Sequence, residues 1–211
     1  MIKAILFDMD GTLVDTERLD NAVARKMCKE LGFELSGEEE NQRHGKTTKS
    51  FYEYLFEKRK LDFDIQKITK KHLNLFEEEL KKGVKAFEGA KELPGILKSN
   101  DYKLALVSGS TKTQININLN HLGIKTFFDV IISADDITKS KPNPQGYLLA
   151  AEKLQVKPEE CVVLEDATVG IEAGKNAGMK VIGVQNGSLQ DLSKADIIVE
   201  NLTQVTKEIL I

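Results

Sequence analysis

Residues 2–17, Ile2-Lys3-Ala4-Ile5-Leu6-Phe7-Asp8-Met9-Asp10-Gly11-Thr12-Leu13-Val14-Asp15-Thr16-Glu17, decide how this 211-residue chain is read. The apolar run at 4–7 is too short for a helix and has the composition of a fully buried parallel strand. It ends at once on acids and a glycine. Comparable runs recur at 104–107, 130–132, 162–164, 181–184 and 197–199. Amphipathic stretches separate them, at about 90–99, 112–122, 144–154 and 169–177, with Gly123 and Gly178 where helix C-terminal caps belong. Strands alternating with helices predict an α/β domain built on a parallel sheet.

The alternation fails once. After the first run no strand follows until about Lys103. Leu19, Val23, Met27 and Leu31 keep an i, i+4 spacing, and Phe51, Leu55, Leu73, Phe76 and Leu80 continue the helical pattern. So long a crossover predicts an α-helical subdomain, residues 16–86, inserted into a core made of residues 1–15 and 87–211. Every arginine (Arg18, Arg25, Arg43, Arg59) lies in the insert, which is slightly basic, whereas the remainder is acidic. That split suits an anionic substrate held beside a metal. Pro94-Gly95 predicts that the helix before the second strand kinks or begins late. His72 and His121 read as ordinary surface or core-edge residues of helices.

Composition narrows the function. With 41% hydrophobic and 30% charged residues the chain has an ordinary globular mixture. A formal net charge of -3 gives no dense basic face for nucleic acid, so no nucleic-acid partner is expected. No apolar run approaches a membrane span, and the N-terminus is not a signal peptide, so a cytoplasmic monomer with no membrane partner is expected. Cys28 and Cys161 cannot make a four-ligand zinc site. Cys161 opens an apolar run and reads as buried.

In open parallel sheets ligands gather at the C-terminal ends of strands. Asp8 and Asp10 follow the first run, Ser108-Gly109-Ser110 the second, Asp135-Asp136 and then Lys141-Pro142 the third, Glu165-Asp166 the fourth. One strand-end Asp is usually a turn former or helix cap. Four carboxylates crowded together are different: at an effective dielectric of 20, a like-charge pair 4 Å apart costs about 4 kcal/mol. Such a cluster calls for protonation or a cation, and hard oxygen ligands favour Mg²⁺. Ser108, with Gly109 and Ser110 before the helix starting near Lys112, suits a phosphate. Lys141, stiffened by Pro142 and Pro144, suits balancing a phosphoryl charge.

These residues resemble the haloacid dehalogenase superfamily. The run 7–17 resembles its first motif, with the continuation usual in the phosphatase and β-phosphoglucomutase branch. Ser108 fits the second, Lys141-Pro142-Asn143-Pro144 the third, and residues 163–179 the fourth. The resemblance implies an α/β, Rossmann-like parallel-sheet core with an inserted α-helical cap. It also implies Mg²⁺-dependent phosphoryl transfer through an aspartyl-phosphate. Asp8 matches the nucleophile and a metal ligand. Asp10 matches the general acid/base, its carbonyl reaching the metal. Asp166 matches a further metal ligand with Glu165 beside it, and Ser108 and Lys141 match the phosphate binders. Ser140 and Gln145 stand where the family commonly has Gly and an acid, which predicts a local difference in that loop.

The expected activity is hydrolysis of a small phosphorylated metabolite, a sugar phosphate or nucleoside monophosphate. A sugar-phosphate mutase is the alternative. A receiver-type signalling module, which also uses a phospho-accepting Asp, is disfavoured by the insert. In the insert, the loop 43–49 with Lys46 is the candidate specificity element. Hydrolysis is preferred over mutase chemistry because Asp20 stands where β-phosphoglucomutases carry a histidine. An anionic Asp20 is expected to repel a second phosphorylated sugar.

Overall fold

In the computed structural model, which describes residues 1–43 and 47–210, the chain divides into two compact units, Met1–Thr16 with Val84–Ile211 and Glu17–Gly83.

The first unit holds one sheet of six parallel strands, β1 (Ala4–Phe7), β2 (Lys103–Val107), β3 (Val130–Ile132), β4 (Cys161–Glu165), β5 (Lys180–Val184) and β6 (Ile197–Val199), ordered β3-β2-β1-β4-β5-β6. β1 lies inside the sheet, with Ala4 opposite both Lys103 and Cys161, and every residue of β1 is fully buried. That explains its continuous apolar run: a strand covered on both faces has no solvent side to alternate with. β4, buried throughout, reads the same way, whereas Ile198 of the edge strand β6 is exposed. The sheet is thus the α/β, Rossmann-like arrangement expected.

In the second unit α1 (Thr16–Glu30, its first residue still in the first unit), α2 (Gly37–Asn41), α3 (Thr48–Arg59) and α4 (Ile65–Lys81) follow one another with no strand among the described residues. Its core gathers Val23, Ala24 and Met27 of α1 with Phe51, Tyr52, Leu55 and Phe56 of α3 and Ile68 of α4. Ser36, Thr47 and Asp64 cap α2, α3 and α4, each accepting from a first-turn amide. The stripe on α4 departs from expectation. Leu73 is 44% exposed, whereas His72, one residue earlier, is fully buried. The buried positions Ile68, His72 and Leu80 keep helical spacing, and a histidine takes a core place that the pattern gave to leucine.

Back in the first unit, α5 (Leu93–Ser99) begins late, with Pro94 in its first turn, where a missing N–H costs nothing. It is followed by α6 (Lys112–Leu122), α7 (Gln145–Leu154) and α8 (Thr168–Asn176). Gly123 caps α6 in the left-handed conformation. The segments leading to and from the insert pair with each other: Asp15 N–H donates to Lys85 O and Phe87 N–H to Leu13 O, at 2.9 and 3.0 Å. Cys161 and Cys28 are buried free thiols, each pushed up to about 12 chiefly by burial. No helix among the described residues is long and apolar enough to cross a membrane.

Candidate active site

The ends of β1 and β4 place Asp8, Glu165 and Asp166 together, and β2 and the β3–α7 loop supply Ser108 and Lys141. Asp8, Glu165 and Asp166 each offer an oxygen within 4.8 Å of the others, and all three are buried. Two glycines make this possible. A Cβ at Gly170 would lie 1.7 Å from Glu165 Oε1, and one at Gly11 would lie 2.1 Å from Asp166 Oδ2. Gly11 also holds φ +92°, a region that L side chains avoid.

One ammonium serves the cluster. Lys141 Nζ donates to Asp8 Oδ1 at 2.5 Å and to Glu165 Oε1 at 2.6 Å. The Lys141–Pro142 peptide is cis. Glu165 is saturated: Oε1 also accepts from Tyr147 at 2.9 Å, and Oε2 accepts the amides of Asp166 and Ala167 at 3.0 and 3.1 Å. It therefore orients Lys141 and the β4–α8 turn, leaving Asp8 and Asp166 as the better placed ligands. Thr12 Oγ1 donates to Asp166 Oδ1 at 3.0 Å.

The charge is unbalanced. Burial, with Glu165 and Asp166 adding repulsion, outweighs Lys141 and holds the Asp8 carboxyl well above its ordinary range. Burial and then Glu165 push Asp166 up to about 8. Burial alone would lower the Lys141 ammonium, but Asp8 and Glu165 overcome it and raise it well above its ordinary value. Buried carboxylates sharing too little positive charge, with hard oxygen donors facing one another, fit a divalent cation held by Asp8 and Asp166.

The Asp10 carboxylate turns elsewhere. Its Oδ1 accepts from Thr16 Oγ1 at 2.8 Å, and its Oδ2 from Ser108 Oγ at 2.9 Å and Ser110 Oγ at 2.8 Å. Hydroxyls both donate and accept, so this cradle suits Asp10 with or without a proton. Gly109 has open space where a Cβ would stand, and it lines a cavity of about 100 Å³ with Ser108, Lys141 and Tyr147. The start of α6 offers less to an anion than expected. Thr111 already caps Gln114 N–H, Asp135 accepts from Lys112 N–H at 2.9 Å, and Ser110 N–H donates to Ser108 Oγ at 3.0 Å. Gln145 preserves its loop: its Oε1 accepts from Thr138 N–H and Lys139 N–H at 3.0 and 2.8 Å, work that a carboxylate would also do.

The side chains of Thr12, Thr16 and Tyr147 carried no role in the sequence reading, and Ser110 entered it only through its backbone amide, for a phosphate. Each is a lone hydroxyl whose partner sits far away in the chain or in a turn, so no local periodicity marks it.

Within the helical unit Asp20 is charge-compensated, contrary to expectation. Its Oδ1 accepts from His72 Nε2 at 2.6 Å and its Oδ2 is paired with Arg43. Tyr52 OH and His72 Nδ1 are 2.9 Å apart. Facing the Asp20 carboxylate, which can only accept when ionised, Nε2 is the donor of that bond. Burial opposes ionisation of Asp20, but the His72 hydrogen bond and the Arg43 charge win and lower its pKa. The expected repulsion of an anion by Asp20 is thus cancelled by its partners. His72 is no surface residue, whereas His121 is exposed. Lys46 lies outside the described residues.

The comparisons agree with this geometry. The haloacid dehalogenase-like hydrolase family model matches residues 5–184. The chain is 32% identical over 207 residues to the bifunctional riboflavin kinase/FMN phosphatase of Arabidopsis thaliana, covering 97% of this chain but 54% of that protein. It is 31% identical to the phosphorylated carbohydrates phosphatase of Thermotoga maritima, covering 99% of this chain and 100% of that one. The crystal structure of β-phosphoglucomutase from Clostridium difficile superposes with a TM-score of 0.80 at 28% identity, covering 100% and 96%. With its strand-end acids, lysine and serine, and a match that spans both units, the chain belongs to the haloacid dehalogenase-like hydrolases.

Proposed function

We propose that this chain is a Mg²⁺-dependent phosphatase of small organic phosphate monoesters, a sugar phosphate or a nucleoside monophosphate, working through an aspartyl-phosphate on Asp8. The observation that carries it is the buried Asp8, held by Lys141 and grouped with Asp166 where carboxylates outnumber cations. Phosphatase names among the relatives support the reaction type.

An Asp8 oxygen attacks phosphorus and the ester P–O bond breaks. The departing alkoxide takes a proton from Asp10, and an alcohol leaves. Water then attacks the aspartyl-phosphate and gives its proton to Asp10, releasing phosphate and restoring Asp8. Lys141 lowers the repulsion between Asp8 and the phosphate dianion, and Ser108 donates to a phosphoryl oxygen. Asp8, Asp166 and the Asp10 carbonyl would hold Mg²⁺, which when bound neutralises charge on the phosphoryl oxygens.

The test is a panel of small phosphate esters assayed with Mg²⁺ and with excess chelator. Phosphate release that vanishes in chelator is expected, and undiminished release would overturn the metal assignment. Lys46→Ala in the same panel should change KM and substrate ranking only. Because Arg43 is paired with Asp20 and His72 is hydrogen-bonded to it, a β-phosphoglucomutase-like mutase is the second reading. Glucose 6-phosphate formed from β-glucose 1-phosphate, with a trace of 1,6-bisphosphate, faster than inorganic phosphate would select it.

A further inference from the structure

We infer that Asn186 is a positioning residue that holds the Gly11–Thr12 turn, and through it Asp166, in register for gripping the divalent cation; the inference rests on the metal reading proposed above. Asn186 stands just beyond β5, with φ +45°, followed by Gly187 at φ +76°. Ser188 N–H closes the turn on Gln185 O at 2.6 Å. A turn of this kind requires only a residue that tolerates the left-handed region, and glycine would serve.

The side chain does something a turn does not need. Asn186 Nδ2 donates to Gly11 O at 2.8 Å and to Thr12 O at 3.0 Å. An amide nitrogen has two protons, and two carbonyl acceptors identify it as the nitrogen. Asn186 is itself tied to the sheet, because its N–H donates to Glu200 O at 2.8 Å and Gln185 N–H donates to Val199 O at 2.9 Å. One arm is thus fixed to β6 and the other to the segment that follows Asp10.

That segment has no slack. Gly11 approaches Asp166 so closely that a Cβ would overlap its carboxylate, and Thr12 Oγ1 donates to Asp166 Oδ1 at 3.0 Å. Movement of the two carbonyls displaces the Thr12 hydroxyl that aims one Asp166 oxygen, and with it the ligand. Outer partners of this kind typically change metal affinity tenfold or more when removed.

The probe is Mn²⁺, titrated by electron paramagnetic resonance into the full chain without substrate, with the thermal melt of the metal-free protein measured alongside. Asn186→Gly keeps the turn conformation and deletes the clamp. Asn186→Asp keeps the size but sets an acceptor against two carbonyls. The Mn²⁺ dissociation constant should rise about tenfold in Asn186→Gly and further in Asn186→Asp. The Asn186→Gly melting temperature should stay within about 2 °C of wild type. Combined with Thr12→Val, the loss should be no greater than that of the larger single change, because both act on one ligand. Unchanged affinity in Asn186→Gly, an affinity loss matched by a collapse in melting temperature, or additive losses with Thr12→Val would each overturn the inference. If wild type binds no Mn²⁺, the metal reading falls and takes the inference with it. If it binds Mn²⁺ but releases no phosphate, only the phosphatase reading fails.

Discussion

At the strand ends of the core three carboxylates share one ammonium, whereas in the helical insert one carboxylate is shared by a guanidinium and an imidazole. Asp8 and Asp166 are consequently shifted up, and Asp20 is shifted down. The same residue type is in one case short of positive charge and in the other fully supplied. Burial acts against the charged form in both units, so the sign of the shift is set by the partners. In the insert both Asp20 oxygens are engaged as they stand. The core's cluster is completed by a cation or by protons.

The largest test of this contrast is Asp8→Asn. Asparagine keeps the shape and loses the nucleophile, so kcat should fall at least about a thousandfold, ~4 kcal/mol in barrier. Retention of more than about a tenth of kcat, under 1.4 kcal/mol, would mean that Asp8 is not the attacking group. Folding should survive, since one member of an overcrowded acid cluster has been neutralised.

Asp20→Ala should do the reverse, harming stability more than chemistry. It strips Arg43, whose side chain is 6% exposed, of its counter-charge. Breaking a buried pair costs about 3–5 kcal/mol, and the 32% exposure of Asp20 brings the expectation down to about 2–3 kcal/mol. Urea unfolding measures it, and a loss below about 0.5 kcal/mol would show that the pair is solvated. Because the folded pKa of Asp20 lies below its ordinary 3.8, its contribution persists above that pH and disappears only as pH falls through the lowered value.

The core has the opposite pH slope. Burial and Glu165 push Asp166 up to about 8 in the folded, metal-free chain from an ordinary 3.8, and Asp8 is raised in the same direction. Between those values the folded state binds more protons than the unfolded state, so metal-free stability falls as pH rises from about 4 to 8. Mg²⁺ should flatten that fall, because it takes the place of the protons. Asp166→Asn should raise the metal-free melting temperature at pH 8, reduce the gain from Mg²⁺, and raise the Mg²⁺ needed for half-maximal activity about tenfold. A metal-free melting temperature that does not fall between pH 5 and pH 8 would contradict the picture of an under-neutralised cluster.

The two regions were also unequally legible in the sequence. Each sheet strand was marked by its apolar run, which in β1 and β4 follows from burial on both faces, and the ends of the runs pointed to the acids. Strand bounds at β2, β4 and β5 extend past the runs, since Lys103 and Lys180 at strand starts and Glu165 at a strand end pair in the sheet although they are charged. In the insert the helices were legible but the polar core was not. A histidine at a helical position looks solvent-facing unless its partners are known, and Asp20 and Tyr52 meet His72 only through the fold. Asn186 was hidden for a similar reason: Asn-Gly reads as a turn, and its acceptors lie at the other end of the chain.

Tyr147 gives the smallest effect and the finest division of labour. Its hydroxyl donates to Glu165 Oε1, the oxygen that also accepts from Lys141. Burial and then Glu165 hold the phenol well above its ordinary pKa, so it stays a donor throughout the working range. Tyr147→Phe removes one of four donors to Glu165 and leaves Lys141 with both carboxylates. A single lost hydrogen bond to a charged group, with the ring still packed, should cost about 1–2 kcal/mol of stability and lower kcat less than about tenfold. The Mg²⁺ requirement should not move, because Glu165 faces Lys141 and the β4–α8 turn with both its oxygens engaged as acceptors. A Tyr147→Phe enzyme whose Mg²⁺ requirement rises as far as that of Asp166→Asn would show instead that Glu165 grips the cation directly.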